Sequence, residues 1–204
     1  MKVPAPYSAT KGRPREFDCE RALAQALRVF WLRGYEGASM TELTSEMGIT
    51  KPSLYAAFGN KESLFKKALD LYERDKMAYV ADALAAPTCR QVAEILLRGA
   101  VDMTTSTCDP RGCLGVISSV ACGAEAESIR EEVKRRRSSS TQALIDRFAR
   151  AKREGELPDG VEPDALARYL LAILQGLALQ AGNGAARDEL AQLVDTTLSM
   201  WPCR

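Results

Sequence analysis

Histidine is absent from the 204 residues, and that absence removes whole classes of chemistry. Without an imidazole there is no Ser-His-Asp or Cys-His nucleophile, no HExxH metal site and no His-ligated structural zinc. Catalysis through lysine or paired carboxylates survives this test, yet no such constellation assembles. Glu125, Glu127, Glu131 and Glu132 are spaced for a helix surface rather than a buried metal site. No cofactor and no metal are therefore expected, and the chain reads as a binder rather than an enzyme. The six cysteines form no CxxC pair and no signal-like apolar run opens the chain, which predicts reduced thiols and a cytoplasmic location. Long apolar runs are also missing. The uncharged stretch from Tyr169 to Ala186 is interrupted by Gln175, Gln180 and Asn183, so a buried helix is expected there rather than a membrane span.

A strong excess of one charge is lacking too, with 28 basic against 27 acidic side chains. The average hides an asymmetry. Residues 1–76 hold 13 basic and 10 acidic groups, whereas residues 77–204 hold 15 and 17. A basic end joined to a slightly acidic remainder is compatible with a nucleic-acid module attached to a different kind of domain.

What is present has helical period almost throughout, and no strand alternation lasts. Residues 1–15, with Pro4, Pro6, Gly12 and Pro14, read as a flexible basic arm. Asp18 is a plausible cap for a helix reaching about Arg33, in which Leu23, Ala26, Leu27, Phe30 and Trp31 form one apolar face. Gly34 offers the left-handed position that ends it. Ser39 and Glu42 fit a capping box opening a short helix that Gly48 stops. Thr50 caps the next, with Pro52 in its first turn, and Asn60 caps a longer one carrying Leu64, Phe65, Ala68, Leu69 and Tyr72. Two short helices joined by a glycine turn on a longer first helix make a helix-turn-helix unit. Further apolar stripes follow: one from Val92 to Met103, a charge-rich helix from Glu125 to about Arg153, and two closing helices after Pro163. In the charge-rich helix, Glu131 with Arg135 and Glu132 with Arg136 are expected to pair at i, i+4, making Lys134 to Arg137 a solvated face.

The segment from Gly12 to Leu69, with GRPRE in the arm and ALRVFWLRGYEGASMTELTSEMGITKPSLYAAFGNKESLF in the body, resembles the TetR/AcrR family of bacterial transcriptional regulators. The GCLG motif at Gly112 to Gly115 is similar to the ComR-like branch of that family. The resemblance implies an all-α fold: arm 1–15, DNA-binding domain 16–62, and ligand-binding and dimerisation domain 63–204. It implies a homodimer on palindromic operator DNA, most often a repressor, controlled by a small-molecule effector. In a recognition helix the N-terminal half meets the major groove, here Thr50, Lys51, Pro52, Ser53 and Ala56. Lys51 can donate to guanine O6 and N7, Ser53 can donate or accept, and an alanine methyl can meet a thymine methyl. Tyr55 and Lys61 match phosphate-contacting positions of the family. Ser39 and Thr41 lie at a helix N-terminus, a natural phosphate site. Arg13 and Arg15 resemble minor-groove or backbone contacts. Leu54 and Phe58, at i and i+4, read as core.

For the remaining two thirds, the resemblance implies an effector cavity between helices and a four-helix dimer seam. Met103, Cys113, Leu114, Ile117, Phe148, Leu166 and Tyr169 are the candidate cavity lining. Leu170, Leu174, Leu177, Leu193, Val194 and Trp201 are candidates for the seam, with intrachain core an equally good reading of each. Cys108 and Cys113 leave open a redox or soft-metal sensor, against small apolar filler. A helical small-molecule carrier or enzyme with a repurposed helix-turn-helix is the rival from another class.

Overall fold

A computed structural model of the chain describes residues 18–120 and 126–203, with ten α-helices and no strand among them. The arm, with Arg13 and Arg15, lies outside the described residues. The helices are α1 (Cys19–Gly37), α2 (Met40–Met47), α3 (Lys51–Phe58), α4 (Lys61–Lys76), α5 (Tyr79–Ala85), α6 (Cys89–Thr104), α7 (Leu114–Val120), α8 (Glu127–Arg153), α9 (Pro163–Gly182) and α10 (Arg187–Ser199).

The caps read from sequence carry the first four helices. Asp18 accepts from the backbone N–H groups of Glu20 and Arg21, Ser39 from Glu42, Thr50 from Ser53 and Asn60 from Ser63. The capping box at Ser39 is only half made. The Glu42 carboxylate turns to the Arg33 guanidinium at 3.2 Å, an ion pair that joins α1 to α2. Gly34 interrupts α1 as expected (φ 70°, ψ 177°), but a further helical turn follows the kink and carries the element to Gly37. Only glycine takes that backbone without strain.

Two apolar cores result. The N-terminal core centres on Phe30, Trp31, Leu43, Leu54, Phe65 and Tyr72, all at most 1% exposed. Ring edges meet ring faces within it: Phe30 on Phe65 at 4.9 Å and Trp31 on Tyr72 at 4.8 Å between centroids. Each such side chain contributes about 1.5–3 kcal/mol by leaving water. This core does not end with the short helices. It runs along α4 to Tyr72 and takes in Leu114, Ile129 and Val133, so α4 belongs to both halves of the molecule.

The second core packs α6, α8, α9 and α10 around Val92, Leu97, Phe148, Leu170, Leu177 and Val194. α9 is long and apolar enough to cross a membrane by length and composition, which the interrupting glutamines had argued against. Here Leu166, Ala167, Leu170, Leu177, Ala178 and Ala181 are buried in the intrachain core. Arg147 is buried as well and donates to the carbonyls of Ala86 and Pro87, pinning the turn between α5 and α6. Gly99 permits the other close approach. A Cβ there would lie 2.4 Å from the Tyr79 ring, so glycine is what lets α5 lie against α6.

One expectation about the thiols is corrected. Cys89, at the start of α6, and Cys203, beyond α10, are joined in a disulfide with Cα atoms 6.1 Å apart across 114 residues of sequence. Nothing local couples them. The packing of α10 on α6 delivers one to the other, so spacing in the sequence carried no sign of the bond.

Candidate nucleic-acid interface and effector cavity

α3 presents two faces. Leu54 and Phe58 point into the N-terminal core, while Lys51, Pro52, Tyr55 and Ala56 are exposed along the opposite edge. Tyr55 is 52% exposed, unusual for a tyrosine with so much apolar ring to bury. Among the described residues Lys51 has no ion pair, so its ammonium is free to meet an outside partner. Ser53 is committed locally, its hydroxyl 2.9 Å from that of Thr50. Ser39 and Thr41 are exposed at the start of α2. Lys61 is held more tightly than a solvated lysine. Its Nζ lies 4.7 Å over the Tyr35 ring and 3.4 Å from the Glu36 carbonyl oxygen. Burial lowers its pKa and the Glu36 carboxylate opposes that shift. Ser39, Thr41, Thr50, Lys51, Pro52, Tyr55 and Ala56 are thus exposed on the caps and outer edges of α2 and α3, with Ser53 and Lys61 half-buried beside them in sequence.

Behind this head lies an apolar cavity of about 410 Å³. α4 supplies Leu69 and Tyr72, α6 Leu96 and Met103, and α9 Leu171 and Leu174. Of the expected lining, Met103 and Cys113 are there. Leu114, Phe148 and Leu166 are instead filled core, Ile117 packs against the N-terminal core beside Gly34, and Tyr169 is 48% exposed. Their helical spacing identified apolar faces, but not which faces leave space between them. Leu171, Leu174, Gln175 and Ala178 form the α9 wall at i, i+3, i+4 and i+7. The polar Gln175 in an otherwise apolar run was the available signal for it. The Tyr72 hydroxyl donates to the Cys113 thiol at 3.1 Å and lies 3.5 Å from the Met103 sulfur. Burial raises the Tyr72 pKa, with Cys113 reinforcing the shift, so the phenol stays neutral. Tyr79, half-buried on the same cavity wall, shifts the same way. Cys108 is exposed, and no group of three or more metal-ligating residues occurs among the described residues.

Three contacts clasp the segment Thr105–Gly112 to the head: Arg28 to the Cys108 carbonyl at 2.7 Å, Trp31 Nε1 to the Gly112 carbonyl at 3.3 Å, and Lys76 to Asp109 at 2.7 Å. At the cavity rim Arg136 reaches from α8 to Asp70 and Glu73 of α4, at 2.6 and 2.9 Å, and to Glu132 at 2.6 Å. The expected pair of Glu132 with Arg136 is present, whereas that of Glu131 with Arg135 is corrected: Glu131 joins Lys134, Glu132 takes Arg135 as well, and Arg136 is an interhelical tie rather than part of a solvated face.

The seam residues also divide. Leu170, Leu177, Val194 and Trp201 are buried inside this chain, Trp201 against Phe148 and Tyr169, because α10 packs on α6 and α9. Leu174 lines the cavity and Leu193 is half-buried. The large apolar side chains left uncovered in this region are Tyr169, Leu179 and Met200.

Comparison with known proteins decides the family. Residues 22–68 match the model of bacterial regulatory proteins of the tetR family, and residues 94–194 match a tetracyclin repressor-like C-terminal domain. The transcriptional repressor ComR of Escherichia coli is 32% identical over 196 residues, which cover 95% of this chain and 93% of that repressor. The chain belongs to the TetR family. It is a DNA-binding transcriptional regulator and not an enzyme. A second Escherichia coli repressor, BdcR, is 26% identical over 90% of this chain and 88% of its own length. Among solved structures, the TetR-family regulator CifR, as a cysteine mutant complexed with 26-bp double-strand operator DNA, superposes with a TM-score of 0.87. It is 40% identical over 93% of this chain and 100% of that one. The two matched segments fall on the α1–α4 head and on the α6–α10 part of the chain.

Proposed function

We propose that this TetR-family protein is a cytoplasmic repressor that binds a palindromic operator as a homodimer and releases it when an effector enters the cavity between α4, α6 and α9. The observation carrying this reading is the free edge of α3, with Lys51, Tyr55 and Ala56 exposed on a helix whose other face is locked in the core. In the operator complex CifR supplies the precedent. Lys51 reads base edges, while Tyr55, Lys61 and the helix start at Ser39 and Thr41 hold phosphates. Arg13 and Arg15 of the arm add minor-groove or backbone contacts. Two heads one groove turn apart, about 34–36 Å, read the two half-sites.

α4 is the element both functions share. Its N-terminus supports α3 through the Asn60 turn, and its Leu69 and Tyr72 wall the cavity. An effector that binds one position of α4 better than the other shifts the spacing of the heads by its differential affinity. Dimerisation uses α9 and α10 through their uncovered side chains Tyr169, Leu179 and Met200. Sedimentation of the protein with a selected duplex tests the stoichiometry: two chains per palindrome are expected, and one chain bound with full affinity contradicts the proposal. A thiol-responsive form of this reading rests on Cys113 in the cavity wall. Operator affinity that is unchanged by oxidant while thiols are lost rejects it.

A further inference from the structure

A second hollow, about 450 Å³, lies beside the apolar cavity and carries cations over a floor that includes Val133 and Ile145. Arg130, Lys134, Arg137 and Arg168 line it with Gln142 and Ser138, and no acid is among its lining residues. The two hollows share one wall. Val133, Arg137 and Thr141, at i, i+4 and i+8 on α8, border both. Three of the four cations are already answered: Arg130 by Glu127, Lys134 by Glu131 and Arg168 by Asp164. Arg136, on the cavity rim, is answered three times over. Arg137 differs. Among the described residues its solvent-exposed guanidinium has neither a hydrogen bond nor an ion pair, and it stands where the apolar cavity meets the cationic hollow.

A cavity with apolar walls favours an apolar ligand body, and its deep polar pair, Tyr72 with Cys113, is already hydrogen-bonded. An unanswered guanidinium at the junction favours an oxyanion, which it can meet with two parallel N–H donors. We infer that the effector is an amphipathic anion, an apolar chain held in the cavity and ending in a carboxylate or phosphate that Arg137 binds. This inference rests on the proposed role of the cavity and adds the chemical class of its ligand. A neutral chain would leave Arg137 unanswered, and a small inorganic anion would leave the apolar walls empty.

Calorimetric titration of the full-length protein tests it directly, with decanoate, decyl phosphate, decan-1-ol and acetate as probes. One saturable site per chain is expected for decanoate or decyl phosphate, the tighter of the two identifying the headgroup. Arg137→Ala is expected to weaken that anion at least about ten-fold, the loss of one charge-assisted contact, and to leave decan-1-ol unchanged. Arg137→Lys is expected to restore part of the affinity and Lys134→Ala to leave it intact. Acetate is expected not to bind. Decan-1-ol binding as tightly as both anions, equal losses for alcohol and anion in Arg137→Ala, or no saturable anion site would each overturn the inference. Duplex binding by the same preparations separates the two levels. A protein that binds duplex selectively but no anion overturns the ligand class alone, whereas a protein that binds anion but no duplex overturns the regulator reading alone.

Discussion

Lys51 and Lys61 differ in how they are held, and that difference sets what each should do. Lys51 has no ion pair among the described residues and is exposed on the outer edge of α3, so Lys51→Ala is expected to cost about 1–3 kcal/mol on the preferred operator and little on other sequences. Lys61 is braced on Tyr35 and the Glu36 carbonyl. Lys61→Ala is expected to weaken all sequences alike and reduce the salt slope of binding by about one. Fluorescence anisotropy across a salt series, on specific and scrambled duplexes, distinguishes them; equal losses on both duplexes for Lys51→Ala would contradict its role. Gly99 makes a residue-scale prediction of another kind. Alanine is the better helix former, yet Gly99→Ala drives a methyl into the Tyr79 ring. Overpacking of about 1–3 kcal/mol outweighs the propensity gain of about 1 kcal/mol. A destabilised variant is expected in urea unfolding, and a stabilised one would contradict the packing. The N-caps of α1 to α4 were legible in the sequence because each is satisfied within three residues, although the same local signal at Thr88 and Gln91 of α6 went unread. The Tyr79–Gly99 approach was not, because it depends on how α5 meets α6.

At the scale of elements, the tie between α4 and α8 is the testable feature. Arg135 and Arg136 hold the Glu132 carboxyl down to about 2. A carboxylate depressed in the folded state contributes stability above its unfolded pKa, about 4.5, and loses it as pH falls towards about 2. Glu132→Gln is therefore expected to flatten the pH dependence of stability in that window, measured by acid unfolding followed by circular dichroism. An unchanged profile would show that the cluster does not couple to folding. The interhelical part of this cluster escaped the sequence for a physical reason. Periodicity gives the i, i+4 partners within α8, but Asp70 and Glu73 arrive from another helix and draw Arg136 away from the surface. The cavity wall on α9 followed the same rule: Leu171, Leu174 and Ala178 share a face at helical spacing, but only packing decided that this face, and not the one through Leu170 and Leu177, borders a void.

For the whole molecule, two cores joined by α4 and clasped through the segment Thr105–Gly112 explain how one end can respond to the other. The covalent tie between Cys89 and Cys203 adds to the second core. Closing so long a loop contributes about 2–4 kcal/mol, so reductant is expected to lower Tm by about 5–15 °C. Cys203→Ser should start at the lowered Tm and show no further change with reductant. An all-helical head and regulatory domain were readable from period, caps and breakers, and the near-neutral net charge proved to average unlike halves. The dimer face was less readable, because burial within one chain and burial between two leave the same apolar stripe in sequence.

The central claim is sequence-specific recognition of DNA by a pair of α3 helices. Selection of bound duplexes from a random library by the full-length protein tests it most directly. The expected product is an inverted repeat with half-sites about one helical turn apart, or a multiple of it, that Lys51→Ala no longer enriches. Recovery of unrelated sequences with no shared half-site would contradict the account.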